Sequence, residues 1–309
     1  MYMKQILVKF YFSTFFLLLL SCGGGTSKSG FIRINDTDIY YKTIGEGEPI
    51  LVLHGGPGLS MDYFFPHFDD FARHYKLIFF DQRYSGRSGG IIDSNLTTEI
   101  FVDDIEALRK ELQIKDFHLM GHSWGGFAAL SYAVKYPKNL KSLLLISPLS
   151  PNLNSYKDLE INRSERFSET DQKKLDEILA SDEFIEGDSP TLERFWKIVF
   201  KVYLFEKELI NQVDLQVQAK NAKSPFILFD KLYPTIDSVA MFNQLKKFNK
   251  PTLIIHGDYD PLPYKYSNEL ALKMKNAKFE LLNNCGHFPF VEKKDKFFSS
   301  ISLFINSVK

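Results

Sequence analysis

Six residues, Gly121-His122-Ser123-Trp124-Gly125-Gly126, constrain this chain more than any other stretch. The run before them, Phe117-His118-Leu119-Met120, reads as a buried strand, and the run after them, Phe127 to Val134, reads as a helix packed through small residues. A serine between strand and helix, with glycine two residues away on either side, fits a sharp and strained turn. Glycines are needed there because neighbouring backbone must pass without a Cβ in the way. Such a turn lifts the serine hydroxyl clear of the sheet and aims the positive end of the following helix at it. By composition alone, G-x-S-x-G turns up in about one chain in ten of this length. Its meaning therefore depends on the strand–turn–helix context and on partners elsewhere in the chain.

The rest of the chain supplies a sheet for that turn. Phe31-Ile32-Arg33-Ile34 and Ile39 to Ile44 flank an Asn/Asp cluster and predict a hairpin. Continuous apolar runs at 49–53, 77–80, 117–120 and 143–146 predict parallel strands covered on both faces. A helical pattern over 98–112 lies between them, with Phe101, Ile105, Leu108 and Leu112 in phase. The rhythm resumes with a strand at 252–256, a helix around 267–274, a strand at 278–282 and a helix over 294–308. This alternation predicts an α/β protein with a mainly parallel sheet and helices on both faces. Residues 149–248 break the rhythm: they are helical and charged, as a cap inserted into one domain would be. The stripe Leu192, Phe195, Trp196, Val199, Tyr203 within them reads as packing. The core is thus expected at 31–148 and 249–309.

The first residues have a different character. Lys4 and Lys9 precede an apolar segment that ends in Leu17-Leu18-Leu19-Leu20, the layout of a secretory signal. Leu19-Leu20-Ser21-Cys22 resembles the lipobox of bacterial lipoproteins. That resemblance implies a signal over 1–21, a diacylglycerol on Cys22, and a protein anchored in the bacterial cell envelope. A simple cleaved signal with an incidental cysteine is the alternative. The glycine- and serine-rich stretch that follows reads as a flexible tether over 22–30. Only Cys22 and Cys285 are present. A lipidated Cys22 cannot form a disulfide, so the fold is expected to stand on its core.

Composition excludes some classes. A formal net charge of +0 leaves no electrostatic footprint for nucleic acid. No H-E-x-x-H or Cys–His cluster points to a metal, and no cofactor is called for. His118 and His122 straddle a strand and its turn, so they do not share a helix face.

Partners for Ser123 follow the last two strands. After 252–256 comes Gly257-Asp258-Tyr259-Asp260-Pro261, and after 278–282 comes Asn283-Asn284-Cys285-Gly286-His287. Both lie at C-terminal strand ends, where open α/β sheets place their sites. A serine hydroxyl needs an imidazole to take its proton and pass it to the leaving group, and His287 is the candidate. An acid must orient that ring, and Asp258 and Asp260 are the alternatives. The developing oxyanion needs N–H donors. The backbone of Trp124, just after the serine, supplies one. The loop His54-Gly55-Gly56-Pro57-Gly58 supplies the other, and because Pro57 has no N–H, Gly56 is the candidate. Cys285, two residues before His287, reads as a small buried residue, with a second nucleophile as the alternative.

Taken together, His54 to Gly58, Asp81-Gln82-Arg83-Tyr84-Ser85-Gly86-Arg87-Ser88, Gly121 to Gly126, Asp260 and His287 resemble the proline iminopeptidase branch of the α/β-hydrolases. The order serine, acid, histidine along the chain is theirs too. The resemblance covers residues 31–309 and implies an α/β-hydrolase fold with a helical cap and a serine peptidase releasing N-terminal residues from small peptides. Its G-x-x-D spacing selects Asp260 over Asp258. It also implies that Asp81, Arg83, Gly86 and Ser88 brace the loops beside the site without doing chemistry. In this branch acids in and beside the cap bind the substrate's free amine. Some members carry glutamate directly after the triad acid, where this chain has Pro261, and Glu206, Glu208 and Asp230 are the cap candidates. An esterase or amidase without a free-amine requirement, and a lipid-anchored binding protein without activity, are the rival readings.

Overall fold

The computed structural model describes residues 27–90, 92, 96–215, 217–221 and 223–308. The expected signal segment and Cys22 lie outside these residues. Among the described residues, no helix is long and apolar enough to cross a membrane.

The strands are β1 (Ser27–Ile34), β2 (Thr37–Ile44), β3 (Pro49–Leu53), β4 (Lys76–Phe80), β5 (Phe117–His122), β6 (Leu140–Ile146), β7 (Thr252–Gly257) and β8 (Ala277–Leu282). They form one eight-stranded sheet in the order β1-β2-β4-β3-β5-β6-β7-β8. The β1–β2 and β2–β4 pairs are antiparallel, and every other pair is parallel. β1 starts earlier than the apolar pattern suggested: Ser27 pairs with Ile44, so residues 27–30 are strand and not tether. Their polar side chains hide this, because ladder hydrogen bonds come from backbone and this edge faces solvent.

The apolar runs are buried on both faces, and their alternation splits the core in two. Ile50, Val52, Leu77, Phe79, Met120, Leu144 and Ile255 face one side with Phe64, Phe68, Phe290 and Phe297. Leu51, Leu53, Ile78, Leu119, Leu143, Leu145 and Ile254 face the other, under α1 (Thr98–Glu111) and α2 (Trp124–Lys135). Successive side chains of a strand point to opposite faces, so an unbroken apolar run is what a two-sided sheet requires.

Between β6 and β7 lie α3 (Asn154–Arg166), α4 (Glu169–Leu179), α5 (Asp182–Glu186), α6 (Ser189–Lys201), α7 (Ser224–Leu232) and α8 (Ser238–Leu245). The first five build the cap. α8 does not: Leu245 and the following Phe248 join the core that holds Ala128 and Tyr132 of α2. The cap therefore ends before residue 248, and α8 is an outer helix of the sheet domain. α9 (Tyr264–Lys273) begins directly after Pro263, three residues ahead of its apolar pattern. A short α10 (Pro289–Glu292) precedes α11 (Lys294–Ser307).

Candidate active site

β5 lies at the centre of the sheet and ends in the turn that carries Ser123. Its φ of 56° and ψ of −120° are strained for a residue with a side chain, at a cost of about 1–3 kcal/mol. Surrounding bonds enforce the conformation. Ser123 N–H donates to Ile146 O at 3.0 Å, and Ser123 O accepts from Gly126 N–H and Leu149 N–H, both at 2.9 Å. A Cβ on Gly121 would overlap the carbonyl of Gly125, which is why the turn needs glycine there.

The loops after β7 and β8 bring the acid and the histidine together. His287 Nδ1 donates to Asp260 Oδ2 at 2.7 Å, with the two residues 2% and 4% exposed. Asp258 is exposed and accepts Cys285 N–H at 3.2 Å, so the geometry selects Asp260 as the partner of His287. Asp260 has further support from Leu262 N–H at 2.9 Å and from His256 Nε2 at 3.1 Å. Burial opposes its ionisation, but the His287 charge and the bonds from His256 and His287 outweigh it and hold the carboxyl below the ordinary carboxylate range. His256 was not singled out in the sequence. It ends the apolar run of β7, where it reads as a strand residue, yet its ring is anchored by Ser267 Oγ and Leu262 O, both at 2.8 Å.

The glycine loop after β3 turns on Gly56, whose φ is 51° and whose carbonyl accepts Leu59 N–H at 3.0 Å. Gly55 N–H is taken by the Tyr63 hydroxyl. Among the described residues, the N–H groups of Gly56 and Trp124 have no partner, and both residues line the same cavity as Ser123 and His287. Ser123 Oγ likewise has no partner among the described residues and opens to that cavity. His54 holds this loop to the next one: Gln82 N–H donates to its Nε2 at 3.0 Å, and Gln82 Nε2 donates to its carbonyl at 2.8 Å. Burial lowers the His54 pKa to about 4, so the ring stays neutral.

The loop 81–88 is itself braced. Asp81 accepts Met61 N–H at 2.9 Å and Arg87 N–H at 2.8 Å, and burial pushes its carboxyl up to about 6. Arg83 grips Asp104 of α1 through two bonds of 2.6 and 2.7 Å. Ser88 Oγ donates to Asp81 O and accepts Tyr40 N–H. A Cβ on Gly86 would strike the Asp81 carboxylate. None of these residues lines the cavity.

The cavity has a volume of about 480 Å³ between sheet and cap. Its cap wall is largely aromatic, with Phe195 and Trp196 of α6 and Phe226 and Phe229 of α7. Phe195, Trp196, Val199 and Tyr203 of the 192–203 stripe thus line the cavity, while Leu192 is buried away from it. Glu206 and Glu208 are exposed and do not line it, whereas Asp230 does. Local pattern sets no phase for those two glutamates, which cap and enter a 3-10 turn over Lys207–Gln212. Glu160 of α3, which sequence reasoning missed, also lines the cavity and is paired with Arg163 one turn along. Cys285 is fully buried, and burial raises its thiol pKa well above the ordinary range, which leaves it inert as a nucleophile.

A mostly parallel eight-stranded sheet, a serine on a strained strand–helix turn, and an acid and a histidine after the last two strands define an α/β-hydrolase. The model of the alpha/beta hydrolase fold family matches residues 48–294, and the chain belongs to that family of hydrolases. It is similar to a "Proline iminopeptidase" of Clostridioides difficile, 27% identical over 293 residues that span 90% of this chain and 98% of the other. A "Proline iminopeptidase" of Saccharolobus solfataricus is 29% identical, over 91% of this chain and 93% of its own. Among solved structures, an alpha/beta fold family hydrolase from Bacillus anthracis superposes with a TM-score of 0.68 at 24% identity, covering 92% of this chain and 99% of that one.

Proposed function

We propose that this protein is a serine hydrolase acting through an acyl-enzyme, with the substrate preference of a proline iminopeptidase. The observation that carries the reading is the 2.7 Å bond from His287 Nδ1 to Asp260, set in the cavity onto which Ser123 opens. With Nδ1–H given to the acid, His287 Nε2 is free to act as base. Ser123 Oγ attacks the substrate carbonyl carbon as its proton passes to Nε2. The N–H groups of Gly56 and Trp124 hold the oxyanion. His287 then protonates the leaving nitrogen or oxygen as its bond to the carbonyl carbon breaks. Water repeats the sequence, releasing the acid and restoring Ser123. The named relatives, each matched along most of this chain, support an N-terminal amino acid as the acyl group. Glu160 and Asp230 are the carboxylates placed to receive its amine.

Two observations favour a second reading, an esterase or amidase that needs no free amine. The position after Asp260 is Pro261, and Glu160 is already paired with Arg163. Turnover of a proline arylamide, its N-acetylated form and a simple acyl ester separates the two. Preference for the free amine supports the aminopeptidase, and preference for the blocked amide or the ester rejects it. A binding protein without activity is rejected by a fluorophosphonate adduct on Ser123. We further propose an envelope anchor through diacylglycerol on Cys22. Cys22→Ser should move the protein from membrane to soluble fractions, and a protein that stays on the membrane contradicts the anchor.

A further inference from the structure

Behind Ser123, and outside the cavity, a chain of buried polar groups links the two loops that frame the site. Tyr63 and His122 are each 2% exposed. His122 Nε2 lies 2.8 Å from the carbonyl oxygen of His287. A carbonyl only accepts, so Nε2 carries the proton and Nδ1 is the acceptor. The Tyr63 hydroxyl is 2.8 Å from that Nδ1 and donates to it, while its oxygen accepts Gly55 N–H. Every donor and acceptor in the chain is thus used in one direction: Gly55 N–H to Tyr63, Tyr63 O–H to His122, His122 N–H to the His287 carbonyl. Burial and the neighbouring His287 charge both hold the His122 pKa well below its usual value, which keeps the ring in this neutral tautomer.

An apolar pair of the same size would fill this space without the cost of burying polar atoms. The polar pair instead ends on two backbone groups. One belongs to the residue before Gly56, and the other to His287 itself. We propose that Tyr63 and His122 are positioning residues, which fix the spacing between the Gly56 N–H and the His287 ring across the base of Ser123. The inference rests on the serine-hydrolase reading above, because spacing matters only if those groups act together. A displacement of about 1 Å at such a site can cost about 10²-fold in rate.

The test uses the full chain and a fluorophosphonate probe, whose reaction needs the serine, the base and the oxyanion donors but no matching amine. Tyr63→Phe keeps the ring contacts with Phe288 and Phe290 and removes only the hydroxyl. His122→Leu removes both bonds, while His122→Gln retains one donor and one acceptor. Expected are labelling rates about 10- to 100-fold lower for Tyr63→Phe and His122→Leu. His122→Gln should recover most of the loss. For a substrate the wild-type enzyme turns over, kcat should fall with KM little changed. Wild-type labelling rates in Tyr63→Phe, or equal losses in His122→Gln and His122→Leu, would overturn the proposal. If His122→Leu does not fold, Tyr63→Phe decides alone. A wild-type protein that takes no adduct removes the reading beneath the proposal, and that result is distinct from either variant failing.

Discussion

The carbonyl oxygen of Tyr203, at the root of the cap, accepts the backbone N–H of His287 at 2.8 Å. The Tyr203 ring also stands edge-on to the His287 imidazole at 5.2 Å between centroids. Cap and base are therefore joined through backbone. The residue before His287 is Gly286, and a Cβ there would overlap the Tyr203 carbonyl. Gly286→Ala must push the two segments apart. We expect kcat to fall by about 10²-fold, with a lowered melting temperature; wild-type kcat would show that the contact does not position the base.

Ser123→Ala should reduce kcat by about 10⁶-fold while the fold survives, since the hydroxyl has no internal partner to lose. Asp260→Asn leaves the shape of the site but removes the charge that holds His287, and a loss of about 10⁴-fold is expected. The same carboxylate contributes to stability. Its pKa is lower in the folded protein than in the unfolded chain, so its contribution is present above the unfolded value of 3.8 and is lost as pH falls through the folded one. Acid unfolding followed by circular dichroism should show a shallower acid-side decline for Asp260→Asn than for wild type.

The parts of the fold set by local pattern were legible in the sequence. Ser123 and His287 could be placed because a buried strand, a turn and a helix leave a local signature at each. Gly56 followed from the missing N–H of Pro57. Asp258 and Asp260 follow the same strand, and only the G-x-x-D spacing of the family resemblance chose Asp260; in the structure Asp260 is the one bonded to His287. Tyr63 and His122 were illegible for a different reason. The partners in the Tyr63–His122–His287 chain are 59 and 165 residues apart, and nothing in the local sequence records such distances. The far boundary of the cap was misplaced because Leu245 and Phe248 carry no strand rhythm and show their allegiance only by packing on α2.

Glu292 gives a pH dependence of the opposite sign to that of Asp260. Its carboxylate accepts Gly286 N–H at 2.9 Å and Phe205 N–H at 2.8 Å, clasping the histidine loop to the cap root. Burial pushes its pKa up to about 7, against the pull of those N–H groups. A folded pKa above the unfolded 4.5 means that the folded state holds its proton more tightly. The contribution is therefore fully present below about 4.5 and declines as pH rises towards 7. Glu292→Gln keeps an acceptor oxygen and cannot titrate. Denaturant midpoints measured between pH 4 and pH 8 should lose that component in the variant, and an unchanged profile would show that Glu292 does not titrate in this window.

The two acids that line the cavity are not equivalent as receptors for an amine. Glu160 shares its charge with Arg163, and the Tyr156 ring that also lines the cavity feels that charge, since burial first and Glu160 next raise the Tyr156 pKa. Asp230 lies at the cavity wall without an ion-pair partner among the described residues. An ammonium group gains most from a carboxylate that is not already neutralised. For a free-amine substrate, Asp230→Asn should raise KM by about 10-fold or more, because a lost charge-assisted bond is worth about 1.5–3 kcal/mol. Glu160→Gln should have a smaller effect. For an N-blocked ester neither variant should change KM, and a parallel rise for both substrates would show that these acids shape the cavity without reading the amine.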